Sequence, residues 1–157
     1  MNHTTKKMKK LYFAFFIIML TFQINAQFII KREIKEKIEG ICNDQEVYSL
    51  FPIDGQVEAV CPVSNEVILM RLNTEVEFLK QNPKYKDKGM IGLIINCKGK
   101  IVECKMDNNT KSSELDQQIE KVFNSLGVWK VGTMNGKEID SSRLFSFKIK
   151  EGKFSFD

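Results

Sequence analysis

The stretch IGLIINCKGKIVECKMD, Ile91 to Asp107, carries two cysteines on either side of a lysine-glycine pair. With Lys98-Gly99 as a two-residue turn it folds back on itself, Cys97 facing Lys100 and Asn96 facing Ile101. Side chains of a strand alternate between its faces. One face then holds Ile91, Leu93, Ile95 and Cys97 with Val102, Cys104 and Met106; the other holds Gly92, Ile94 and Asn96 with Ile101, Glu103 and Lys105. The first face is the one to bury, and it takes both cysteines inward. In this register Cys104 lies opposite Leu93, about 13 Å along the strand from Cys97 at 3.4 Å per residue. A disulfide spans Cα atoms up to roughly 7 Å apart, so a Cys97–Cys104 bridge would need a different register.

Amphipathic helices flank this hairpin. On the N-terminal side Ser64 is a good N-cap, Glu66 suits a first turn, and Ile68, Leu69, Leu72, Val76 and Leu79 form one apolar stripe that must end before Pro83. A charged loop, KYKDKG, leads into the hairpin. On the C-terminal side SSELDQQIEKVFNSLG offers Ser113 and Asp116 as a capping pair, a stripe of Leu115, Ile119, Val122, Phe123 and Leu126, and Gly127 as a stop. Trp129 follows and is read as a cover for the end of the core. A turn at Asn135-Gly136 precedes a closing strand, SSRLFSFKIKEGKFSF, in which Leu144, Ser146 and Lys148 alternate with Phe145, Phe147 and Ile149. The order is helix, strand, strand, helix, strand. Two helices packed on one face of a small antiparallel sheet bury all these stripes together, an α+β fold with an N-terminal extension.

That extension, residues 27–63, reads as an arm packed on the 64–157 domain. Ile30, Ile34, Ile38 and Ile41 stand at helical spacing, with Gly40 as a stop signal, which suggests a short amphipathic helix. VYSLFPIDGQVEAVCPV then carries β-rich pieces around an Asp54-Gly55 turn, a hairpin or an extended arm.

Residues 1–26 have the layout of a secretory signal peptide: lysines, an apolar run from Leu11 to Phe22, and Ala26 at the cleavage position. The run is short of the ~20 residues a spanning helix needs, which disfavours the alternative of a retained membrane anchor. Cleavage would leave 131 of the 157 residues, about one domain's length. It would also remove Lys6, Lys7, Lys9 and Lys10 from 24 basic residues, leaving 20 against 20 acidic ones. A neutral chain supports neither nucleic-acid binding nor a polybasic membrane surface, so membrane contact is by proximity alone. The lone histidine, His3, leaves too, and with it any Ser-His or Cys-His pair and any imidazole zinc ligand. Nothing in the remaining spacing marks a catalytic pair, a cofactor or a metal site.

From Ser64 to Phe156 the chain resembles the TonB C-terminal domain family, in the divergent form carried by small exported proteins of Bacteroidota. The residues that carry the likeness are QNPKY at the end of the first helix, where the family has P-x-Y-P; the glycine-turned hairpin; the helix running into Trp129; the GTMNGKEID approach; and the strand ending FKIKEG. Lys86 stands where the motif's second proline would be, and Val131 where the family's W-x-P-G segment has proline. The anchor and long proline-rich spacer of TonB itself are missing, so the resemblance does not imply energy transduction. It implies β-augmentation, in which an extended peptide or outer-membrane receptor segment pairs with the edge of the C-terminal strand. The matching positions are Asn82 and Tyr85 beside the motif, and Arg143, Leu144, Ser146 and Lys148 on the strand.

Cys42, Cys61, Cys97 and Cys104 make an even number with no C-x-x-C spacing, so a disulfide framework is expected rather than a zinc ribbon or a redox motif. Three pairings stay open: 42–97 with 61–104, 42–104 with 61–97, and a single 42–61 bridge with the other two as apolar filling. The expected function is that of an exported, non-enzymatic binding module in or near the periplasm, or secreted. The alternative is a structural or envelope-stress protein forming a homodimer through the same edge; a carboxylate hydrolase is a third reading, with no paired acids to support it.

Overall fold

The computed structural model describes residues 31–33, 37–43, 46–48 and 54–156. The signal-peptide reading of residues 1–26, and Ile30 and Ile34 of the proposed first helix, lie outside them. Among the described residues no helix is long and apolar enough to cross a membrane.

The arm comes first. β1 (Lys31–Glu33) and β2 (Glu46–Tyr48) pair antiparallel, and β3 (Gln56–Val57) follows. Where a helix was expected to begin there is a strand. Residues 31–33 pair with β2, while Ile38 and Ile41 lie in irregular chain around a turn at Gly40, so the described part of the segment forms no helix. The Asp54-Gly55 turn does not join a hairpin, because β3 pairs with a distant strand instead.

Ser64 opens α1 (Asn65–Glu75), and after a break at Val76 the chain resumes as α2 (Glu77–Gln81). The stripe behaves as one surface across the break: Ile68, Leu72, Val76 and Leu79 are buried. What splits the helix is a competitor for its hydrogen bonds, since the Phe78 amide donates to the Gln118 side chain at 3.0 Å. Ser64 makes no capping bond with its side chain; its hydroxyl instead holds the Glu66 carboxyl below its ordinary range.

β4 (Asp87–Ile95) and β5 (Ile101–Asn108) form the hairpin with the expected register in mid-strand, Leu93 opposite Cys104 and Ile91 opposite Met106. At the turn, however, Ile101 faces Ile95 rather than Asn96, and the Asn96 amide donates to the Lys100 carbonyl. The loop is therefore three residues, Cys97 to Gly99, and not the two-residue Lys98-Gly99 turn. β4 begins at Asp87, inside the stretch read as a charged loop. Register shifts between Met90 and Ile91 and between Ile94 and Ile95 place a bulge at each end. Ile91, Leu93, Ile95 and Met106 are buried as expected. Cys97, placed in the core by alternation alone, sits half-buried at the turn, where the ladder has already ended.

α3 (Ser113–Asn124) is capped one residue earlier than expected: the Ser112 hydroxyl accepts the Leu115 amide. Asp116 is diverted to tie down the preceding loop, accepting bonds from Asn109 Nδ2, Thr110 N and Thr110 Oγ1. All five stripe residues, Leu115 to Leu126, are buried, and Trp129 packs edge-on to Phe145 at 6.4 Å between ring centres.

β6 (Gly132–Met134) and β7 (Lys137–Ile139) form the hairpin around Asn135-Gly136, and β3 pairs with β6 to complete a small sheet. β8 (Ser141–Lys150) then runs antiparallel to β4 from Ser141 to Ile149. The closing segment is not one strand: Glu151 and Gly152, both at positive φ, turn it back as β9 (Lys153–Phe156), which pairs with β8 from Phe147 to Lys150.

The larger sheet has the order β1-β2-β8-β4-β5, with β9 also on β8. It is α+β as expected, with a correction in the sheet: β2 lies parallel to β8, so the arm makes it mixed. The core lies between the helices and the sheet face bearing Ile91, Leu93, Phe145, Phe147 and Ile149.

Candidate site on the rim of the β8 strand

β8 is an interior strand. One side is taken by β4, and the other is shared between two short neighbours, β2 at Ser141 and β9 from Phe147 onwards. The Tyr48 amide donates to the Asp140 carbonyl at 2.9 Å, so even-numbered residues aim their backbone groups at this second rim. Among the described residues, Leu144 and Ser146 are left without a strand partner there.

The opening adjoins a surface groove of about 430 Å³ lined by residues 58–65 and Arg143. Arg143 Nη1 is bonded to Glu58 Oε2, which fixes the arm against β8, and the Val60–Lys130 bridge continues that attachment. Val60 is 52% exposed, an apolar residue held at the surface. Burial pushes the Cys61 thiol up, although the Val63 amide and the Arg143 charge work the other way.

Among the described residues the sheet ends in the three-residue β1 on one side and in β5 on the other, and β5, the longer edge, is blunted. Bulges interrupt both ends of its ladder, and the Glu120 carboxylate takes the Met106 amide at 3.0 Å, a donor that would otherwise face an incoming strand.

The sequence-predicted residues fall in three places. Leu144, Ser146 and Lys148 share the outer face of the sheet. Arg143 is on the opposite face, with Glu58. Asn82 and Tyr85 stand by the β8–β9 turn, where the Tyr85 carbonyl accepts the Gly152 amide at 3.1 Å. Asn82 Nδ2 donates to the Phe78 carbonyl, and the Tyr85 ring meets Phe78 edge-on at 5.1 Å. The Tyr85 hydroxyl donates to Asp87 at 2.8 Å; burial first, then this bond, raises its pKa. Glu58 and Val60 were not foreseen, and no local motif marks them, because their place depends on contacts with residues 130 and 143.

A second cleft, of about 420 Å³, opens between the arm and the β6–β7 hairpin, with Cys42, Cys97, Asp140 and Tyr48 in its lining. Cys42 and Cys97 are joined as a disulfide, which excludes the 42–104 and 42–61 pairings, while Cys61 and Cys104 are free thiols. One half of the first pairing is thus present. Sulfur and carboxylate atoms of Cys42, Cys97 and Asp140 lie within 4.8 Å of one another, a spacing suited to a metal, but the two sulfurs are spent on each other. Asp140 is 1% exposed and accepts three amides: Cys42 at 2.9 Å and Asn43 at 2.8 Å on Oδ2, and Cys97 at 2.9 Å on Oδ1. Compared with protein families, curated proteins and solved structures, the chain finds no match in any of the three.

Proposed function

We propose that this protein is a non-enzymatic binding module that takes an extended protein or peptide segment as an added strand on the rim of β8, as the resemblance to TonB C-terminal domains implies. The observation that carries the reading is that, among the described residues, Leu144 and Ser146 have no strand partner on the rim between β2 and β9, beside the groove of residues 58–65. A guest strand there would gain backbone hydrogen bonds from β8, and its inward side chains would reach the groove. The blunted edge of β5 favours β8 as the place of addition. Arg143 borders the groove, whereas Lys148 is already paired with Ser155 of β9 and Asn82 and Tyr85 stand farther along, at the β8–β9 turn. Export to an oxidising compartment accords with the Cys42–Cys97 bond, and an outer-membrane receptor segment is then a suitable partner.

The test is calorimetric titration with peptides from outer-membrane receptors. Binding should be lost in Ser146→Pro, which deletes one rim donor and leaves the β4 side alone. A complete lack of binding, or binding indifferent to Ser146→Pro, would remove the reading.

A further inference from the structure

The disulfide, Asp140 and the rim of β8 are consecutive parts of one attachment. Cys42 is covalently tied to Cys97 beside the β4–β5 turn; Asp140 holds the amides of both cysteines; and the Asp140 carbonyl receives Tyr48, the β2 residue that lies against Ser141. Asn96 Nδ2 adds a bond to the Gly40 carbonyl at 2.7 Å. The disulfide lines an open cleft, with Cys42 exposed and Cys97 half-buried.

We propose that this disulfide is a thiol-addressable latch on the arm, and that its reduction by an external dithiol frees the head of β8 and lengthens the rim open to a guest strand. The inference rests on the β8 binding reading and adds its regulation. One thiolate of the dithiol attacks the exposed Cys42 sulfur, and Cys97 leaves as the thiolate. The dithiol's second sulfur then displaces Cys42, so the reagent ends as a disulfide and the protein as two thiols, with two electrons and two protons transferred. The Cys97 sulfur leaves beside the buried Asp140 carboxylate, where like charge opposes a standing thiolate, so it takes a proton from solvent through the cleft as it departs. Without the covalent bond, docking of the arm becomes a local opening equilibrium governed by hydrogen bonds and packing. The rim gained is at Ser142, adjacent to the opening already present at Leu144.

Amide hydrogen exchange on the full chain, oxidised and after treatment with dithiothreitol, tests this directly. Exchange at the Tyr48 amide should accelerate by about tenfold or more on reduction, while Ile91 and Phe147 in the β4–β8 ladder stay protected. Affinity for a receptor peptide that binds the oxidised protein should rise in parallel. Cys97→Ser should behave like reduced protein without reductant, the core amides reporting whether it has folded. Unchanged Tyr48 protection overturns the latch. Faster exchange with unchanged peptide affinity overturns its control of the rim. Faster exchange with no peptide bound in either state supports release of the arm and counts against the binding reading alone.

Discussion

Asp140 is buried under two segments far from it in sequence, and each carboxylate oxygen is committed to their amides. Asp140→Ala would leave three donors unmatched, and a loss of about 2 to 4 kcal/mol in urea unfolding is expected, with a smaller loss for Asp140→Asn. Cys104 is a different kind of buried group: burial, then the Glu120 charge, pushes its thiol up to about 12. Native protein should therefore take alkylating reagent slowly at Cys104 near neutral pH, and all four cysteines should react only after unfolding and reduction. Mass spectrometry before and after reductant counts them. Asp87 gives a pH signature. Burial works to raise its carboxyl, but the amides of Lys111 and Lys88 and the Tyr85 hydroxyl outweigh it and keep Asp87 below its ordinary range. Its folded value is below the unfolded ~3.9, so its contribution is whole above about pH 4 and is lost as pH falls through the folded value. The stability gap between wild type and Asp87→Asn should accordingly close in acid. Packing residues such as Trp129 and Phe147 were legible from the sequence, because their burial follows from their own apolar bulk. Asp140 was not, because its partners lie up to 98 residues away.

Elements declared themselves where local pattern and tertiary demand coincide. The mid-strand β4–β5 register follows from one apolar face, although the turn itself takes in Cys97 as well as Lys98 and Gly99, and the α3 stripe follows from five residues on one side. Gly99 shows how closely that turn is held. It has φ +75°, and a Cβ there would lie 2.2 Å from the Trp129 carbonyl oxygen. Gly136, in the β6–β7 turn, has φ +78° with nothing nearby. Gly136→Ala should cost only the left-handed strain of about 1 to 2 kcal/mol, and Gly99→Ala clearly more, as read from thermal unfolding. Elements were misread where the local pattern is silent or an outside group intervenes. The Lys31–Glu33 stretch is drawn into pairing with β2 by contacts its own pattern does not announce; Gln118 splits what Val76 and Leu79 mark as one helix; and Lys150-Glu151-Gly152-Lys153 has little in it to reveal a turn beyond its glycine. That last turn mattered most for the site, because β9 occupies rim that a single strand would have left open.

At the scale of the molecule, the arm is more than an appendage: it supplies β1 and β2 to the large sheet and β3 to the small one. Its disulfide spans a sequence separation of 55, for which the loop-entropy account gives about 4 kcal/mol as an upper figure. Cys42→Ala/Cys97→Ala should lower unfolding stability by about 2 to 4 kcal/mol, and reductant should add nothing further in that variant. The meeting of residues 42, 97 and 140 also imposes a schedule on assembly. A chain made from its N-terminus has its arm in hand long before the carboxylate that receives it, so that stretch must wait, unmoored, until residue 140 has emerged. The oldest part of the polypeptide settles last, and oxidation of its cysteine has the right neighbour to choose only once the rest is in place.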